Sequence, residues 1–145
     1  MAGTFEDCGI RFDYPDDWEV EVTNEESVTT VALHSPSGLA FALVSLDNSR
    51  PLPKDVADQA LATMREEYPE LDSTEAHEVI RGHRAVGHDV EFISLDVANS
   101  CAIRCFRTQR RTVLLFGQWS DLEGGQTDSL LAAVRCSLVE TDSED

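Results

Sequence analysis

Lys54 is the only lysine among eleven cationic residues, and these face twenty-eight acidic ones, for a formal net charge of −17. Nucleic-acid affinity rests largely on neutralising phosphates, so so few cations on so negative a surface exclude DNA and RNA as expected partners. Anionic membrane surfaces are excluded by the same repulsion. Long apolar runs are also missing. The longest, around Leu39–Leu46, is far too short to span a bilayer. Met1-Ala2-Gly3-Thr4-Phe5-Glu6-Asp7 lacks the basic region and apolar stretch of a signal peptide, so the expected location is cytoplasmic. The four cysteines, Cys8, Cys101, Cys105 and Cys136, show no C-x-x-C spacing. On a strand Cys101 and Cys105 would share a face but stand about 13 Å apart, too far for a disulfide or for one zinc ion. Reduced thiols are expected.

Catalytic signatures are missing too. There is no G-x-S-x-G elbow and no Ser or Cys set beside His and an acid in a recognised context. Gly124-Gly125 echoes a phosphate loop but lacks the Lys-Ser/Thr ending, and reads as a flexible start to a helix. No catalytic, cofactor or metal role is assigned to any residue, and the chain is not expected to be an enzyme.

What is present is an ordinary globular composition, 41% hydrophobic and 27% charged over 145 residues, enough for one core and too little for two. A single domain is expected over residues 1–140, with 141–145 an acidic disordered tail. Ile10, Phe12 and Tyr14 alternate with Arg11 and Asp13, and after Pro15-Asp16-Asp17 the pattern returns in Trp18, Val20 and Val22, giving two short strands. Thr29–Ser35 and Leu39–Leu46 form a hairpin about Ser35-Pro36-Ser37-Gly38. The second of these strands is apolar on both faces and asks for cover on both. Pro53–Tyr68 reads as a helix with a stripe of Val56, Ala57, Ala60, Leu61, Met64 and Tyr68. Strands follow at about Glu75–Ile80, Arg84–Leu95, Ser100–Arg107 and Thr112–Ser120, the last again apolar both ways. A closing helix starts near Glu123 and carries Leu130, Leu131 and Val134, with Ser137–Glu140 as a short extension. The predicted fold is α/β (α+β): a three-layer α/β/α sandwich, with a mostly antiparallel sheet of six to seven strands and two main helices.

Several of these segments carry a family resemblance. Gly9-Ile10-Arg11-Phe12-Asp13-Tyr14-Pro15-Asp16-Asp17-Trp18-Glu19-Val20 resembles the opening of the Mog1/PsbP-like family, including its DcrB-like bacterial branch. Val79-Ile80-Arg81-Gly82-His83-Arg84-Ala85 is similar to that family's x-x-G-x-x-A approach to a long hairpin, and Leu130–Leu138 to its terminal helix followed by Ser-Leu. The resemblance implies the same sandwich. It also implies protein binding without catalysis, since members include a Ran-binding import factor, an extrinsic photosystem II subunit and chaperones of secreted effectors. It carries over no functional residue.

The expected function is therefore a monomeric protein-binding or chaperone-like module, with a small-molecule or metal binder using a pocket between sheet and helix as the alternative. Candidate partner-binding residues are Trp18 and Trp119, read as aromatic anchors at a rim, and Arg104, Arg107, Arg110 and Arg111, concentrated at one hairpin, where they could grip a carboxylate or phosphate or be spent on internal ion pairs. Two other groupings carry weaker readings: His77, His83 and His88 lack shared-ligand spacing, and Asp13, Asp16 and Asp17 do not match a calcium loop.

Overall fold

The computed structural model describes residues 3–123 and 126–141. Among them are ten strands and two α-helices: β1 (Gly3–Asp7), β2 (Ile10–Tyr14), β3 (Glu19–Glu25), β4 (Val28–His34), β5 (Ala40–Asp47), α1 (Pro53–Glu67), β6 (Asp72–Ile80), β7 (His83–Ser94), β8 (Val97–Arg107), β9 (Thr112–Ser120), α2 (Thr127–Cys136) and β10 (Val139–Glu140). Seven strands form one antiparallel sheet in the order β3-β4-β5-β9-β8-β7-β6, and β1-β2-β10 form a smaller one. This is the expected α/β sandwich, with a detail the sequence did not supply. The segment before Pro15 leaves the main sheet altogether and builds the small one. β1 adds a strand that Gly3-Thr4-Phe5-Glu6-Asp7, with a single large apolar residue, does not announce.

The order of the strands follows from their hydrophobicity. β5 and β9, the two apolar on both faces, lie side by side in the middle, with Val44 opposite Leu115 and Leu43 opposite Phe116. To let β9 insert there, the chain leaves β5, crosses one face as α1, and starts again at the far edge with β6. Pro53 opens α1 at a position where its missing N–H costs nothing. Ala57, Leu61 and Met64 bury the helix against Val90, Phe92, Cys101, Ile103 and Cys105. The opposite face carries the larger core. There Leu131, Val134 and Leu138 at the C-terminal end meet Ile10 and Phe12 of β2 and the alternate side chains Ala42, Val44, Val113 and Leu115. The small sheet is tied to the end of α2 by Asp13 N–H, which donates to Ser137 Oγ at 2.9 Å.

Cover is diagonal. α1 packs on β7, β8 and β9 and stops short of the outward side chains of β5, so Phe41 and Leu43 stay half-buried. The demand of β5 for cover on both faces is met only in part. On the other face α2 and the small sheet leave the row nearest the start of β6 open. No helix among the described residues is long and apolar enough to cross a membrane. Thr141 N–H is held by Gly9 O at 2.9 Å. The rest of the predicted acidic tail, and Gly124-Gly125, lie outside the described residues.

Candidate partner-binding site

The two uncovered regions differ in chemistry, and the first is apolar. At the end of the sheet where α1 finishes, a groove of about 300 Å³ runs between the start of β5, the end of β9 and the β7–β8 turn. Its floor is aromatic. Tyr68 stacks on Phe92 with ring centroids 4.1 Å apart, and Phe41 lies against Phe116 at 5.8 Å. Its rim is formed by Leu39, Leu95 and Leu122, which are 39%, 95% and 66% exposed. Leu95 is held out by its own backbone. β7 and β8 join through Leu95-Asp96, both left-handed with φ of 53° and 65°. Such a two-residue turn favours Asn-Gly, because a side chain at positive φ crowds the following carbonyl by about 1 kcal/mol.

Acidic residues adjoin the groove's residues in sequence. Asp96 follows Leu95, Glu67 precedes Tyr68, and Asp121 and Glu123 flank Leu122 in a 3₁₀ turn. None of the described residues lining the groove is cationic. Burial first, then the Glu67 carboxylate, pushes the Tyr68 hydroxyl up from its ordinary pKa.

The second open region is a charged cleft of about 430 Å³ on the opposite face, between α2 and the floor of β6–β9. Its inner wall is an ion-pair frame. Arg104 Nε donates to Glu78 Oε1 at 2.7 Å, and its Nη2 meets Asp89 Oδ1 at 2.9 Å. Arg135 reaches the same Glu78 from α2 at 3.0 Å. Burial raises the Glu78 carboxyl, but hydrogen bonds from Arg135 and then Arg104 outweigh it, and the net position is below the ordinary range. The guanidinium of Arg104 also donates to Ile103 O at 3.0 Å. Across from Arg104 the register places Gly87, where an added Cβ would fall 1.7 Å from Ile103 O.

The four candidate arginines do not form one patch. Arg104 is buried in the cleft frame. Arg111 is buried on the far side of the turn, within 3.5 Å of Glu140 and bonded to Cys8 O and Gly9 O. Arg107 is exposed and donates to Arg50 O at 3.2 Å, and Arg110 is half-buried. For Arg104 and Arg111 the internal ion-pair reading therefore holds. The tryptophans separate as well. Trp18 is 7% exposed within the core and is no rim anchor, whereas Trp119 is half-buried and lines the cleft.

The histidines fall at separate places. His77 is exposed near Glu75, His83 stacks on Phe106, and His88 bonds Asp58 of α1 at 2.9 Å. Cys101 and Cys105 share the α1 face as expected, unpaired and buried. Burial pushes Cys105 up to about 12, and Cys101 higher still. Leu39, Leu95 and Leu122 were not among the candidates from sequence. The one available signal was a Leu at a hairpin tip whose geometry calls for Asn or Gly.

No protein-family model and no curated protein matches the chain. Solved structures do. Cyanobacterial PsbP (CyanoP) from Synechocystis is similar with a TM-score of 0.63 at 14% identity, over 95% of this chain and 91% of that one. LpqN, involved in cell envelope biogenesis of Mycobacterium tuberculosis, gives 0.57 at 15%, over 93% and 86%. A Bacteroides thetaiotaomicron protein gives 0.62 at 12% over 94% of this chain, which spans only 47% of that longer one. At these identities the likeness concerns architecture, and in architecture the chain has the Mog1/PsbP-like fold.

Proposed function

We propose that this domain is a non-enzymatic protein-binding module whose groove takes an apolar segment flanked by Lys or Arg. The observation that carries the reading is the rim: Leu95, Leu122 and Leu39 exposed together around an aromatic floor. Clustered apolar exposure of this kind marks interaction surfaces, and aromatic anchors in a groove are where binding energy concentrates. The acidic neighbours Glu67, Asp96, Asp121 and Glu123 and a lining with no cation among the described residues support the second half of the statement, since carboxylates beside an apolar groove attract a basic segment and repel an acidic one. A left-handed Leu95 that costs folding free energy fits a residue kept for contact. The module acts in the cytoplasm as a monomer, with which its four unpaired cysteines agree.

The test compares capture from source lysate by the wild-type domain and by a Leu95→Asp/Leu122→Asp variant, at low and high salt. A stoichiometric partner that survives high salt on the wild type and is lost from the variant, with the melting temperature unchanged, supports the reading. A captured set that is the same on both proteins overturns it.

A further inference from the structure

The two edges of the seven-stranded sheet are unlike. At β6 a side chain from α2 reaches the strand: Glu78 is held by Arg135 and by Arg104 of β8, and Ile80 is buried. β3 has β4 on one side and no neighbour on the other, and every residue in it except Val20 is exposed. A free edge presents main-chain N–H and C=O groups in a row and is a template for one more strand. β3 contains no proline or glycine. Its pairing with β4 runs without interruption from Glu19 opposite His34 to Glu25 opposite Val28, so no bulge blunts the edge.

The side chains of β3 are sorted by face. Glu19, Glu21 and Glu25 alternate with Val20 and Val22. Val20 packs against the larger core, and Val22 is left 41% exposed. No Lys or Arg occurs between Arg11 and Arg50, so β3, β4 and β5 hold none. Across β4 the register sets His34, Ala32 and Val28 against the three glutamates. Among the described residues none of the three makes an ion pair. A second copy of the chain is a poor occupant, since antiparallel pairing about Val22 would set Glu19 against Glu25.

We propose that the free edge of β3 is a second docking surface, which takes an extended segment of a partner protein as an added antiparallel strand, with Lys or Arg alternating with aliphatic residues. The open ladder supplies the main-chain hydrogen bonds and the alternating side chains select the sequence, as in other strand additions. A helix has no free main-chain groups to offer along such an edge, so the occupant is extended. Glu19 and Glu21 stand about 7 Å apart on one face, the spacing of cations two residues apart on the incoming strand. Its aliphatic residues lie beside Val20 and Val22 and lengthen the core. The site is separate from the groove, since no residue of β3 lines it.

The probe is the capped peptide Lys-Thr-Thr-Val-Lys-Val-Lys, with a capped peptide of the same composition in the order Val-Val-Lys-Lys-Thr-Lys-Thr as control. Binding is followed by calorimetry and by amide hydrogen exchange in NMR, at about 0.15 M salt, where attraction by distant charges is screened beyond ~8 Å. One peptide per chain is expected to bind saturably and to slow the outward-facing amides of β3 roughly tenfold or more. Glu19→Gln/Glu21→Gln/Glu25→Gln should weaken it roughly tenfold or more. Glu6→Gln/Asp72→Asn/Glu91→Gln, which removes as many charges elsewhere, should leave it unchanged. Charges on an edge also serve to keep copies apart, and four results would leave β3 with that role alone and overturn the proposal: equal binding of the two peptides, equal binding to the two variants, binding that leaves the β3 amides unprotected, or no saturation up to about 1 mM. All six substitutions replace exposed side chains by near isosteres, and the melting temperature of each variant checks that the fold is kept.

Discussion

The groove and the cleft are two openings in one sheet, left by the same cause and filled with opposite chemistry. Each helix leaves part of its face of the sheet open: α1 packs on β7, β8 and β9, and α2 is only ten residues long. On the α1 side the uncovered residues belong to central strands, so Phe41, Leu43 and Phe116 come to the surface. On the α2 side they belong to the edge, where β6 carries Asp72, Thr74 and Glu78. A sheet therefore exposes apolar or charged surface according to how far from its edge the helix stops.

The comparison predicts that the two regions fail in different ways. The largest effect is expected beneath the cleft. Gly87→Ala places a Cβ 1.7 Å from Ile103 O and should prevent folding or lower stability by more than about 3 kcal/mol, as for severe overpacking; urea unfolding measures it. Glu78→Gln comes next. It leaves Arg104 with Asp89 alone and removes the acidic partner of Arg135, and should cost about 3 kcal/mol at neutral pH. The Glu78 carboxyl lies below its ordinary value of 4.5 in the folded state, so its contribution is complete above that value and is lost as pH falls through the lower folded one. The stability gap between wild type and Glu78→Gln should accordingly close as pH drops from about 5 to 3. A gap that stays constant with pH would show that the loss is one of packing.

At the groove the same kind of substitution should behave in the opposite sense. Leu95→Asn accommodates φ 53° better than Leu, and should raise stability by about 0.5–1 kcal/mol while weakening partner binding. A destabilised Leu95→Asn would mean that Leu95 packs in the fold, and would remove it from the proposed contact. The smallest effect concerns the closed part of the α1 face. Neutral-pH alkylation should label exposed Cys136 in the native protein and reach Cys101 and Cys105 only on unfolding.

Much of the layering was legible in the sequence, since alternation and helical stripes report which residues are hidden. The stripe of α1 and both central strands could be read in this way, and Pro53 and Pro36 fixed two boundaries. The binding regions were not legible, because exposure is a difference between what a strand could bury and what its neighbours cover. Phe41 and Leu43 look like core residues in any window of sequence. The four arginines look like a patch because the chain places them close together, yet Arg104 sits on one face of β8 while Arg111 lies beyond the turn against β1 and β2. Trp18 and Trp119 look alike as well, until one packs under the small sheet and the other is left at the end of β9.

By itself the sequence determined the class of the fold, the apolar centre of the sheet and the acidity of the surface, because periodicity and charge are local and additive. Only the tertiary structure decided that the first strands form their own sheet, that each helix leaves part of the sheet uncovered, and that Asp72 stands opposite Glu91. Those outcomes depend on strand order and register, which are set when distant segments meet and not by any segment alone.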